Sequence, residues 1–377
     1  MAATSRQSAR ANPDGGEALP GQVVLVLQGG GALGAFQVGV YQALHEAGIE
    51  PDWVIGTSIG AINGAIIAGN RAEDRLERLT GFWDKVRTDS PVANPWWPAA
   101  DGAMASLGAF MNGVPGFFKP NPQAMLGLHA PLGVERASFY DTAALRATLL
   151  GLVDFERLKT KQVRLSLGAV GVAHGEMRYF DSRDTDLGVD HVMASGALPP
   201  AFAAVRIDGE PYWDGGIYSN TPVEAVLDDN PRRDSVIFAV QVWNPEGPEP
   251  ETLWKVLGRH KEIQYASRSK SHLRRQDQIH RLRHVIRELA NRLPGGLRED
   301  SVISELVSYG CATRMHLVNL EAARIEGEDL ARDIDFTRAG VRARREAGYA
   351  AARRVIEQRP WQHKGDLLDG IVVHDAG

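Results

Sequence analysis

One serine, one aspartate and two clusters of glycine give this chain the parts of an acyl-transfer site. Ser58 lies in Gly56-Thr57-Ser58-Ile59-Gly60. The run Asp52-Trp53-Val54-Ile55 precedes it and reads as a strand, and the small apolar run from Ala61 to Gly69 follows and reads as a buried helix. A serine at a sharp strand-to-helix turn is a nucleophile elbow, with its hydroxyl lifted clear of the sheet. Gly56 and Gly60 flank it because a β-carbon would clash in so tight a turn. The helix that starts there presents its positive end to developing negative charge. Alone, the five residues would also fit a tight turn with an incidental serine, in a chain with 40 glycines.

A second glycine cluster narrows the choice. Gln22-Val23-Val24-Leu25-Val26-Leu27 reads as a central parallel strand and runs into Gln28-Gly29-Gly30-Gly31-Ala32-Leu33-Gly34. A helix follows, with Val38, Tyr41, Leu44 and His45 at helical spacing up to Gly48. Gly29, Gly31 and Gly34 satisfy the dinucleotide fingerprint, which also requires an acidic residue at the end of the next strand. Glu50 and Asp52 stand before that strand, so the ribose contact would fall on the wrong edge. The competing reading is an oxyanion hole, in which the amides of Gly29, Gly30, Gly31 and Gly34 face an acyl oxygen. Such donors contribute about 3 kcal/mol each, and this reading uses Ser58, which a nucleotide site would leave unexplained.

A third string supplies the acid. Ala194-Ser195-Gly196-Ala197-Leu198-Pro199-Pro200-Ala201-Phe202 leads through an Asp208-Gly209 hairpin turn to Asp214-Gly215-Gly216. The plain reading of Asp214 is a turn aspartate capping its own loop. In order, Gly29 to Gly34, Gly56 to Gly60 and Asp214 to Gly216 resemble the motifs of the patatin-like phospholipase family, over roughly residues 22 to 245. The resemblance implies an α/β fold: a three-layer sandwich with a central, mostly parallel sheet and helices on both faces. It also implies a Ser58–Asp214 dyad in place of a triad, with Gly56, Gly60, Gly215 and Gly216 supporting the two motifs. An aspartate near its usual pKa of about 3.9 is a poor base for a hydroxyl, so burial must raise it. A histidine is the commoner base. His260, His272, His280, His284, His316, His363 and His374 follow the aspartate in order, but none has a glycine-rich or loop context that singles it out.

The expected activity is therefore serine-dependent hydrolysis of a carboxylic ester in a lipid, of phospholipase A or lysophospholipase type, through an acyl-enzyme. The alternatives are a catalytically idle lipid-binding or scaffold protein of the same fold, and a carboxylesterase or thioesterase acting on soluble acyl esters. The expected partners are a lipid or acyl-ester substrate and an anionic membrane surface touched peripherally. No cofactor or metal is called for: there is no H-E-x-x-H and no cysteine pair. Asp181, Asp184 and Asp186 lack the spacing of a calcium loop and read as a solvated turn.

Composition bounds the rest. A formal net charge of −5 over 377 residues argues against a nucleic-acid binder. The lone cysteine, Cys311, reads as a small buried residue and fits a reducing compartment. The expected location is the cytoplasm, with peripheral contact at the inner face of the membrane. Residues 1–20 read as a disordered lead-in, 21–245 as the catalytic domain and 246–377 as a helical extension. Within the catalytic domain, 81–137 reads as an aromatic cap or lid, with Trp83, Trp96, Trp97, Met104, Leu107, Phe110, Met111, Phe117 and Phe118 among prolines and glycines. It suits an acyl-chain tunnel or a membrane-facing surface. A helix over 141–150, strands over 163–170, 236–242 and 313–320, and a terminal helix over 336–354 capped by Asp335 complete the expected elements. In the extension, Leu282, Val285, Ile286, Leu289 and Leu293 alternate with Arg281, Arg283, Arg287 and Arg292, a basic amphipathic helix.

Overall fold

The structure is a computed structural model that describes residues 19–88, 108–109, 111–298, 300–325, 331–363, 365–366 and 368–375, without the side chains of 267–272, 295 and 298. The expected N-terminal lead-in falls almost entirely outside the described residues. So do Trp96, Trp97, Met104, Leu107 and Phe110 of the expected cap.

The strands are β1 (Gln22–Leu27), β2 (Trp53–Thr57), β3 (Lys119–Pro120), β4 (Tyr140–Asp141), β5 (Arg164–Gly171), β6 (Met177–Asp181), β7 (Val205–Ile207), β8 (Glu210–Asp214), β9 (Ser235–Gln241), β10 (Met315–Glu321) and β11 (Ile371–Asp375). The helices are α1 (Ala35–Glu46), α2 (Ile59–Ala68), α3 (Ala72–Val86), α4 (Ala143–Leu152), α5 (Phe155–Lys159), α6 (Val189–Ser195), α7 (Glu224–Leu227), α8 (Leu253–Arg292), α9 (Gly295–Arg298), α10 (Ser301–Ser308) and α11 (Arg338–Gln358). Nine strands form one sheet in the order β11-β10-β9-β1-β2-β5-β8-β7, with β6 also on β5. From β11 to β5 the pairing is parallel, and β6, β7 and β8 run antiparallel to their partners.

The continuous apolar run of β1 follows from cover on both faces. Val23, Leu25 and Leu27 join a core with Phe36 of α1, Ile62 of α2 and Val355 of α11. Val24 and Val26 join a second core with Trp53, Ile55, Leu227, Ile237 and Leu317. Each such side chain contributes about 1.5–3 kcal/mol on burial. Helix α2 is buried along its whole length, which explains its small apolar residues. No described helix is long and apolar enough to cross a membrane.

Several expectations change here. The segment after residue 246 adds more than helices: the strand expected over 313–320 is β10, which pairs with β9, and an unexpected strand, β11, pairs with β10, so the segment extends the sheet. Helix α11 then lies on α1, where glycines let the backbones meet. A β-carbon on Gly39 would sit 1.9 Å from the Arg345 carbonyl oxygen, and one on Gly348 would sit 2.0 Å from that of Phe36. The cap of α11 is Thr337, which accepts from the Gly340 amide at 3.1 Å. Asp335 stands too early to cap, and instead pairs with Arg344 at 3.1 Å. In the expected amphipathic stretch of α8, from 280 on, the buried positions are His280, His284 and Ala290, whereas Leu282 and Leu289 are exposed. Each imidazole brings its Nε2 to a carbonyl, that of Leu227 at 3.0 Å for His280 and that of Thr313 at 2.8 Å for His284.

Asp181 is not a solvated turn residue. It is buried, and Arg164 joins it at 2.8 Å and Asp229 at 2.9 Å while stacking 3.5 Å over the Trp53 ring. Asp184 and Asp186 are exposed, as a turn requires. Cys311 is only half-buried, with its sulfur 2.8 Å from the Thr313 hydroxyl.

Candidate active site

Strand β2 ends at Thr57 and α2 begins at Ile59, so Ser58 alone makes the turn. Its φ of 57° with ψ of −126° lies where non-glycine residues are strained, at about 1–3 kcal/mol. The neighbouring glycines let the chain pass. A β-carbon on Gly56 would lie 2.3 Å from the Gly60 carbonyl oxygen, and one on Gly60 would lie 2.1 Å from that of Leu27. Ser195, at the end of α6, holds the turn. The Ser58 amide donates to the Ser195 carbonyl at 3.1 Å and to its hydroxyl at 3.2 Å. The Ser195 hydroxyl in turn donates to the Gly168 carbonyl at 2.6 Å.

Register brings the aspartate to the serine. Thr57 of β2 stands opposite Gly168 of β5, and Asp214 of β8 stands opposite Ala169, the next residue. Gly215 fits because a β-carbon there would lie 2.5 Å from the Gly168 carbonyl oxygen. Asp214 is 1% exposed. Its Oδ1 accepts from the Gly216 amide at 2.7 Å. Burial pushes its pKa up to about 7, although the hydrogen bonds from the Ser58 hydroxyl and the Gly216 amide favour the charged form. A carboxylate at that pKa can take and return a proton near neutrality.

The glycine loop divides. The Gly29 amide is already bonded to the Asn220 carbonyl at 3.2 Å. The Gly29 carbonyl accepts from Asn220 Nδ2 at 3.1 Å and Trp243 Nε1 at 2.9 Å. Gly29 thus anchors the loop and has no free donor, contrary to expectation. Gly34 is buried against Ile59, which a β-carbon would approach to 2.6 Å, so it serves packing. Gly30 and Gly31 line the cavity described next, and their amides have no acceptor among the described residues. Gln28 fixes the loop from below. Its Oε1 accepts from the amides of Val242 at 2.5 Å and Trp243 at 2.9 Å, and its Nε2 donates to the Thr221 hydroxyl at 2.6 Å.

Ser58, Asp214, Gly30 and Gly31 open onto a cavity of about 320 Å³. Its walls are mostly apolar, from Ile59, Ile62, Leu198, Phe202 and Phe336 to Phe117 and Phe118 of the expected cap. Phe117 and Phe118 are both 7% exposed. Their rings sit 5.4 Å apart and also contact Phe202, so they face the cavity and not a membrane. None of the described histidines lines it. Among the residues that sequence reading missed, Ser195 lay inside a string already singled out. Gln28 carried a signal of its own, an uncharged polar residue closing an apolar strand. Asn220 and Trp243 carried none, because their contacts span about 190–215 positions of sequence.

A family model described as patatin-like phospholipase matches residues 25–227, and a second described as patatin phospholipase matches residues 263–367. The patatin-like phospholipase domain-containing protein 6 of Mus musculus is 42% identical over 78 residues, 20% of this chain and 6% of that protein. Lysophospholipase nte1 of Aspergillus terreus is 65% identical over 69 residues, 16% of this chain and 4% of that protein. These matches thus span only a small part of the relatives. Among solved structures, VipD from Legionella pneumophila is similar at 15% identity and a TM-score of 0.33, covering 92% of this chain and 72% of that one.

Proposed function

The chain belongs to the patatin-like phospholipase family, and from that premise we propose that it is a serine hydrolase of acyl lipids working through Ser58 and Asp214. The observation that carries this reading is Asp214: buried, hydrogen-bonded to Ser58 and raised to a pKa of about 7 at the edge of an apolar cavity. Ser58 Oγ attacks the acyl carbonyl carbon and its proton passes to the Asp214 carboxylate. The tetrahedral oxyanion is held by the amides of Gly30 and Gly31, and by that of Ile59 at the start of α2. Collapse expels the alcohol, which takes the proton from Asp214 and leaves Ser58 acylated. Water then attacks the ester, with Asp214 again accepting the proton. The fatty acid leaves and Ser58 regains its hydrogen.

The apolar walls favour a fatty acyl chain over a small polar acid. Contact with an anionic membrane surface is part of the same proposal. It is supported by the exposed Leu282 and Leu289 of α8 and by the exposed Arg287 and Arg292 of the same helix, since cations near such a surface gain about 1 kcal/mol each.

The experiment is labelling by a fluorophosphonate together with hydrolysis of p-nitrophenyl esters. Ser58→Ala should abolish labelling and lower turnover by at least about a thousandfold. Undiminished labelling of Ser58→Ala would assign the nucleophile to another residue.

A further inference from the structure

The cavity has few polar points, and among the described residues that line it Lys261 is the one cation. Lys261 comes from α8, far along the chain from the elbow and the glycine loop. Its Nζ lies 2.6 Å from Asp333 Oδ2 and 5.8 Å from the centre of the Trp243 ring. Both neighbours touch the glycine loop. Trp243 donates to the Gly29 carbonyl at 2.9 Å. A β-carbon on Gly31 would lie 2.3 Å from the Asp333 carbonyl oxygen. Lys261 therefore stands beside the loop, at a place where an acyl chain needs no charge. Its side chain is 31% exposed and that of Asp333 is 16% exposed, and withdrawing an ammonium even partly from water is unfavourable. An ammonium carries three N–H donors. Asp333 engages one, which leaves donors for a ligand.

We propose that Lys261 binds a phosphate oxygen of the substrate, so that the cavity selects acyl lipids carrying a phosphate over neutral acylglycerols. The proposal rests on the lipid acyl hydrolase reading and adds to it the residue of this chain that sets the head-group preference. With the acyl chain among Phe117, Phe118, Phe202 and Phe336, the glycerol and its phosphate extend toward the glycine loop and the ammonium. Asp333 holds the ammonium in place and at the same time repels the phosphate. The two residues therefore make opposite predictions: loss of the lysine weakens binding, whereas loss of the Asp333 charge strengthens it. An ion pair that served only as scaffold would give losses on both sides.

The test uses the full chain in two arms. In the first, the Ser58→Ala protein is titrated with 1-O-octylglycerol 3-phosphate and with 1-O-octylglycerol, ethers that cannot be cleaved. Lys261→Met should weaken the phosphate ether about tenfold more than the neutral one, Lys261→Arg should restore most of that loss, and Asp333→Asn should tighten the phosphate ether severalfold. In the second, the ratio of kcat/KM for a phosphate-bearing acyl ester to that for its neutral counterpart should fall about tenfold in Lys261→Met. Equal losses for the two ethers, or an Asp333→Asn loss matching that of Lys261→Met, would overturn the proposal. Inorganic phosphate binding as tightly as the phosphate ether would overturn it too, since the site would then read a free anion. A wild-type chain that cleaves neither ester would refute the hydrolase reading, while the ether titrations would still decide the role of Lys261.

Discussion

Asp214→Asn should abolish turnover and make the protein more stable. The folded pKa of Asp214 is about 7 against an ordinary value of 3.8, with burial as the largest cause. The shift is upward, so the folded state binds a proton more tightly than the unfolded one. The stability linked to this group is fully present below pH 3.8 and is lost as pH rises to about 7. Each pKa unit corresponds to about 1.4 kcal/mol, so the loss totals on the order of 4 kcal/mol and is constant above the folded pKa. An asparagine keeps the acceptor for the Gly216 amide and carries no charge to desolvate. The stability gained by Asp214→Asn should therefore grow by about 1.4 kcal/mol per pH unit between pH 5 and 7 and level off by about pH 8. Urea denaturation of both proteins across that range measures it. In the wild type, kcat/KM should rise through an apparent pKa near 7 as the base ionises. A stability difference that stays flat from about pH 5 to 8 would mean that Asp214 titrates in the ordinary carboxylate range. The account of the base would then be wrong.

Other outcomes follow from single sites. Gly31 has a φ of +55°, and a β-carbon there meets the Asp333 carbonyl at 2.3 Å. Gly31→Val should thus displace the loop and lower acylation by about a hundredfold or more, while NAD and ATP leave thermal stability unchanged; dose-dependent stabilisation by either would revive the nucleotide reading. Arg164→Met leaves Asp181 and Asp229 buried without their shared partner. It should cost about 3 kcal/mol or more in chemical denaturation, and a loss under about 1 kcal/mol would show that Arg183, 3.1 Å from Asp229, suffices. Vesicle co-sedimentation should show binding to anionic lipid that is largely lost in about 1 M salt and is reduced by Arg287→Glu with Arg292→Glu. Equal, salt-independent binding to neutral vesicles would remove α8 from the contact.

The parts of this protein legible in its sequence are those set by neighbours along the chain. The apolar run of β1, the small residues of α2 and the glycines around Ser58 each answer a constraint within a few residues: cover on both faces, a close helix, a turn too tight for a β-carbon. Asp208-Gly209 answered to hairpin geometry in the same way. The motif aspartate was visible too, with the requirement that burial raise its pKa. What the sequence could not express was how residues from distant segments divide one task. Gly29 looks like Gly30 and Gly31 in the string, yet the carbonyl of Asn220 takes its amide. Phe117 and Phe118 carry the composition of a membrane surface, but Phe202 and Phe336 meet them and turn them inward. Leu282 and Leu289 mark an apolar stripe by periodicity, and the carbonyls of Leu227 and Thr313 draw His280 and His284 inward in their place. Lys261 sits in a basic helix with nothing to distinguish it until tertiary folding sets it beside Trp243 and Asp333. Local sterics and periodicity act within one element and are written in its residues. Burial, desolvation and the choice of hydrogen-bond partner depend on which elements meet, and only the assembled sheet with its covering layers decides that.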